Sequence, residues 1–265
     1  TANSSGPGLN LNTVSGSFTV SGNTTIVGSA YQGIRVTGSN SLVADFGNTS
    51  VANTGDDGVE LSSSPGSSFT FDAMNINTIA SGNTGLLANN AGTINVTGAT
   101  NTINVVNGTA VHISNNTTIG TNGITFQSIS ASGADTGITL NNTGTGDFTI
   151  TGIGTSDGSG GTLQNLNDHG IELINAQDVS ISNMNLTNAT TTQEVAPNTG
   201  SCDDEASASG TNVACNAPVQ MIDATNVTLT NLTINGSVQH GINGNNVNGF
   251  ALSNTDITNI GDQDQ

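Results

Sequence analysis

Apolar residues in this chain alternate with polar ones in short bursts, and the bursts keep returning in the same phase. Between Gly170 and Leu186, Ile171 and Leu173 flank Glu172, Val179 and Ile181 flank Ser180, and Met184 and Leu186 flank Asn185. A period of two belongs to β-strands, whose successive side chains point to opposite faces. Polar residues divide the bursts, and none is long enough to be stable alone. The stretch therefore predicts three short strands joined by three bends, which is one triangular lap of a coil.

The opening of that lap, a Gly followed by apolar, any residue, apolar, recurs along the chain. It reads Gly8-Leu9-Asn10-Leu11, Gly33-Ile34-Arg35-Val36, Gly58-Val59-Glu60-Leu61, Gly85-Leu86-Leu87-Ala88, Gly137-Ile138-Thr139-Leu140 and Gly170-Ile171-Glu172-Leu173. Ala110-Val111-His112-Ile113, Pro218-Val219-Gln220-Met221 and Gly241-Ile242-Asn243-Gly244 are variants of it. The starts fall near 8, 33, 58, 85, 110, 137, 170, 218 and 241, evenly spaced except for the steps that leave 137 and 170. Self-similarity at such a period is the mark of a solenoid. The second burst keeps the same register, as Phe69/Phe71, Ile94/Val96, Phe148/Ile150, Val179/Ile181 and Val227/Leu229.

The fold class expected is all-β: a right-handed parallel β-helix of about nine three-strand coils, with residues 1–265 forming one segment. Stacked coils lie about 4.8 Å apart, so nine make a rod about 43 Å long. Right-handed winding follows from the dominance of right-handed crossovers between parallel strands. Like residues then stack, and Leu9, Ile34, Val59, Leu86, Val111, Ile138, Ile171, Val219 and Ile242 should form one interior column. Met74, Met184 and Met221 fall in the same inward phase, as does Ile79. Asn and Gly at the bends suit left-handed backbone conformations, and the Asn side chains could stack into amide ladders.

Composition removes several alternatives. Lys and Arg together number 1, against 19 Asp and Glu, for a net charge of −18. Such a chain repels nucleic acid and anionic membrane surfaces. No stretch approaches the roughly 18 apolar residues needed to cross a bilayer as a helix, so no direct membrane insertion by this segment is expected. The low charge and aromatic content also fits a disordered chain, but the apolar residues are in phase rather than scattered. An antiparallel β-sandwich is the main rival fold. The chain opens on Thr1 and neither end reads as a cap, which predicts a processed or truncated piece of a longer repetitive protein.

The in-phase Gly starts, the Asn/Thr/Ser-rich strands, runs such as Asn141 to Gly152 and the near absence of basic residues resemble a known class. They are similar to the right-handed parallel β-helix repeat domains of bacterial surface and secreted proteins, including autotransporter passengers and filamentous adhesins. The resemblance covers the chain from Gly8 and implies an extracellular or cell-surface, array-forming rod. It brings no catalytic residue, because this fold hosts adhesins, lyases, hydrolases and tailspikes alike.

The expected function is accordingly a non-enzymatic structural or adhesive rod. Its expected partners are itself, through end-to-end stacking or further coils, and a glycan or protein on a host or neighbouring cell. A polysaccharide hydrolase or a glycan-binding module is the alternative. Asp56-Asp57-Gly58 and Asp168-His169-Gly170 look like a fragment of the polygalacturonase pattern, in which Asp groups act as acid and base beside a His. Yet the two pairs sit four coils apart, about 19 Å, too far for one carboxylate pair, and Arg35 is the one basic residue. No cofactor is expected, save that Asp135 and Asp168, at equivalent bends of neighbouring coils, could share a Ca²⁺.

The longest step between starts, from 170 to 218, marks an insertion at 188–217 with little apolar pattern. Insertions in solenoids emerge as loops that often carry function. This one holds both cysteines. A disulfide between Cys202 and Cys215 would restrict the loop by roughly 3 kcal/mol and implies an oxidising compartment. A zinc site is the weaker alternative, since two thiolates without His between them make a poor ligand set. Asp203, Asp204 and Glu205 lie between the cysteines and make this the expected contact loop.

Overall fold

A computed structural model describes residues 5–78, 80–191 and 216–261. Among these residues the regular structure is all strand. The strands form three parallel sheets of nine strands each, and every strand pairs with its counterpart one lap away rather than with its sequence neighbour. The result is a three-sided solenoid of nine turns. Strands of this kind satisfy their backbone groups only by stacking on the next coil, since no coil contains a partner of its own.

The register places the first-burst residues directly over one another. Leu9 pairs with Ile34, Ile34 with Val59, Val59 with Leu86, and the column continues through Val111, Ile138, Ile171 and Val219 to Ile242. In the second sheet Phe18, Ala44, Phe69, Ile94 and Ile119 align, and in the third Ile26, Val51, Ile76, Ile103 and Ile129 do so. These inward side chains are the core: Leu86, Ile94, Ile138 and Ile171 expose nothing to solvent. Phe46 and Phe71 stack in neighbouring coils with ring centroids 4.8 Å apart, adding face-to-face aromatic contact to simple burial. Met74, Met184 and Met221 all lie in this core, while Ile79 lies outside the described residues.

Bends are where the composition becomes intelligible. After each first-sheet strand one residue turns left-handed: Thr13, Gly38, Ser63, Asn90, Asn115, Asn142, Asn175, Asp223 and Asn246, with φ between 45° and 66°. Fifteen of the nineteen described non-Gly residues with positive φ are Asn, the side chain that tolerates this region best. Their amides also link coils, as Asn175 Nδ2 donates to Asn142 Oδ1 at 2.7 Å and Asn231 Nδ2 to Asn183 Oδ1 at 2.6 Å.

One strand departs from the common register. Ile94 pairs with Ile119 but Val96 pairs with Ile124, so the second strand of coil five carries an insertion between those two isoleucines. The bulge closes over Asn95, whose Oδ1 accepts from Asn122 N at 3.2 Å. A Cβ on Gly120 would sit 2.3 Å from that oxygen, which explains the glycine there.

The described residues break off after Thr191, whose N donates to Leu166 O at 2.9 Å, and resume at Asn216, whose O accepts from His240 N. Both points lie at the corner between the third and first sheets. Cys202, Cys215, Asp203, Asp204 and Glu205 lie outside the described residues. At the far end of the rod, Phe250, Leu252 and Ile257 of the ninth coil are 41–43% exposed, although they continue the inward columns.

Candidate functional site

The corner between the third and first sheets gathers the polar side chains that the sequence singles out. It is built from the two residues preceding each coil start, which stack lap by lap just as the strands do. Gly33 N donates to Asp57 O, Gly58 N to Thr84 O, Asp168 N to Asp135 O, and Thr136 pairs with His169. Asp56-Asp57 and Asp168-His169 therefore occupy the same corner, four coils or about 19 Å apart. They form two separate clusters.

Asp57 is the most perturbed group in the first cluster. It is 9% exposed, and its Oδ1 accepts from Thr84 N at 2.7 Å, a side-chain link between coils two and three. Burial pushes its pKa up from 3.8 to about 6, with the Thr84 bond opposing and the charges of Asp56 and Glu60 adding to the rise. A carboxyl poised to hold a proton beside ionised neighbours is the pattern of a general acid. Here the carboxyl is 9% exposed and its Oδ1 is taken up by a backbone N–H inside the corner. Its geometry is that of a strut.

Around Asp57 lies a fixed surface array. Gln32 Nε2 donates to Asp56 Oδ2 at 2.8 Å and to Glu60 Oε2 at 2.9 Å. Arg35 Nε meets the same Glu60 oxygen at 3.2 Å, the one ion pair among the described residues. Ser62 Oγ donates to Glu60 Oε1 at 2.7 Å, and Asp56 Oδ1 accepts from Asp57 N at 3.0 Å. Every member of this network is anchored to a strand or bend whose position is set by the coil beneath. Composition marks Arg35 only as the lone cation and does not join it to Glu60. The signal is nonetheless present in the chain: both hold the outward place of the Gly-apolar-x-apolar phrase, one lap apart.

The second cluster is also structural in its contacts. His169 is 9% exposed and its Nδ1 lies 3.2 Å from Ala217 O, tying coil six to coil seven. Asp135 and Asp168 do fall on adjacent coils, and Asp135 Oδ1 accepts from Asn167 Nδ2 at 2.8 Å. Among the described residues no group of three His, Asp, Glu or Cys side chains is arranged to hold a metal, so a Ca²⁺ shared by these two Asp would need backbone or water oxygens to complete its shell. His112 sits on the outward side of the first sheet, half-buried, with Nε2 3.0 Å from Ser114 Oγ. Burial lowers its pKa, and Glu172, two strands away across Thr139, acts in the opposite sense.

Chemically, the corner offers held hydrogen-bonding groups and one carboxyl whose pKa is raised by burial. Protein-family profiles, curated proteins and solved structures contain no match to this chain.

Proposed function

We propose that this chain is a segment of a non-enzymatic, extracellular rod, structural and adhesive, belonging to a longer repetitive surface protein or filament. What carries this reading is the apolar column that runs unbroken from Leu9 to Ile242 through nine coils, so that the pattern of the chain is spent on stacking one coil on the next. In this reading rods associate end to end, each pairing its open strand edges with the next. The titratable groups support it too, since those at the corner spend their hydrogen bonds on joining coils. Surface display accords with the resemblance to bacterial β-helix repeat domains and with a composition almost free of basic residues.

Sedimentation and electron microscopy of the intact chain test this reading. End-to-end assembly that grows with concentration and is lost in Leu252→Asp is expected; a monomer unaffected by that change would remove the filament. A polysaccharide hydrolase remains the second reading, favoured by the raised pKa of Asp57 beside Asp56 and Glu60. Turnover of polygalacturonate, alginate or a neutral glycan that disappears in Asp57→Asn or Asp168→Asn would replace the rod with an enzyme.

A further inference from the structure

The only tyrosine and the only arginine of the chain line the same hollow. A hollow of about 370 Å³ opens on the lateral surface of the second coil, lined by Ser5, Gly6, Pro7, Tyr31, Gln32 and Arg35. Ser5, Gly6 and Pro7 put small side chains on one side of it, and Tyr31, Gln32 and Arg35, one lap on, put long ones on the other. Tyr31 is 52% exposed, an aromatic face offered to solvent in a chain whose other large side chains mostly point inward.

The polar wall of the hollow is held in advance. Gln32 spends its amide hydrogens on Asp56 and Glu60, which leaves its Oε1 without a donor among the described residues. Arg35 uses Nε on Glu60, and its two terminal nitrogens make no hydrogen bond among the described residues. Two fixed donors and a fixed acceptor thus stand beside an aromatic ring. Hydroxyl groups both donate and accept, and a pyranose ring presents an apolar C–H face to an aromatic surface while its hydroxyls meet planar polar side chains at the edge. Preorganised side chains lose little entropy on binding such a ligand.

We infer that this hollow is a subsite for a neutral saccharide, which deepens the adhesive part of the rod reading and rests on it. Charge selects neutral over acidic sugars. Glu60 offsets Arg35 at 3.2 Å, Asp56 and Asp57 stand behind it, and the chain as a whole carries −18. A uronate would meet a negative field.

The chain supplies its own reporter, because with one Tyr and no Trp its tyrosine emission comes from this hollow alone. Titration of the intact chain with hexasaccharides of glucose, xylose, mannose and galactose should give a saturable change in that emission with at least one of them, and trigalacturonate should give none. Arg35→Ala should weaken the binding about tenfold or more, as expected when charge-assisted hydrogen bonds are lost. Should Arg35→Ala fail to fold, Arg35→Gln keeps the stem and makes the same comparison. Saturation-transfer NMR on Tyr31→Ala checks the ring, with loss of transfer expected. The inference is overturned by silence across all four neutral probes, by an equal response to trigalacturonate, or by unchanged affinity in the Arg35 variant. If the saccharide does not bind while end-to-end assembly persists, the subsite is lost and the rod survives.

Discussion

Replacing Asp57 with Asn separates the charge of this residue from its hydrogen bond. The carboxyl is 9% exposed, accepts from Thr84 N, and titrates near 6 in the fold against 3.8 when exposed. Between these values the folded chain binds a proton that the unfolded chain has released, so stability rises as pH falls from about 6 to 3.8. The gain is complete below 3.8 and is lost as pH climbs through 6. A difference of about two pH units corresponds to about 3 kcal/mol. Asn keeps the Oδ1 acceptor for Thr84 N and is neutral throughout. Urea unfolding should therefore find Asp57→Asn more stable than the native sequence by up to about 3 kcal/mol at about pH 7.5, with the difference shrinking toward zero at about pH 3.5. Asp57→Ala should be less stable than Asp57→Asn at both pH values, and less stable than the native chain at about pH 3.5, because Thr84 N loses its partner at a cost of about 1–3 kcal/mol. An Asn variant less stable than the native chain at the higher pH, or equally displaced at both pH values, would refute the reasoning.

Three further substitutions test how side chains replace backbone at the bends. Asn101 is fully buried, accepting from Met74 N at 2.7 Å and donating to Gly98 O and Thr125 O at 2.6 and 2.7 Å; Asn101→Ala should cost about 3 kcal/mol in urea unfolding, at about 1 kcal/mol for each bond. Thr117 and Thr143 are both fully buried, but Thr117 Oγ1 accepts from Ala91 N and donates to Ala88 O, whereas Thr143 Oγ1 has no partner among the described residues. Thr117→Val should destabilise by about 1–3 kcal/mol while Thr143→Val is neutral or stabilising, a contrast that thermal melts of the two variants would resolve.

The solenoid was legible because packing repeats once per lap. The period of two and the return of the Gly-led phrase specify which residues face inward, and the column from Leu9 to Ile242 appears in the structure as the sequence orders it. The spacing of coil starts was less informative, since it shows that a lap is long without saying where the extra chain goes. Coil three, from 58 to 84, and coil five, from 110 to 136, are equal in length. The former pairs its strands without a shift, while the latter bulges within a strand between Ile119 and Ile124. Nor does sequence show which polar bend residue turns inward. Asp57, Asn101 and His169 become struts because a backbone N–H or C=O of a neighbouring coil happens to lie within reach, a matter of fractions of an ångström.

This geometry restricts where a site can form. Outward side chains interact laterally only when they sit on neighbouring coils, one lap apart in sequence, or two places apart on the same strand. Arg35 and Glu60 satisfy the first condition and Glu60 and Ser62 the second, and together with Gln32 and Asp56 they produce the polar wall beside Tyr31. Asp57 and His169 look alike as motifs but are separated by four laps, and no adjustment of side chains brings them together. In a rod of this kind the distance between two reactive residues is read from the number of laps between them, which makes a one-lap pair of unusual residues a stronger sign of a site than a familiar motif repeated several laps away.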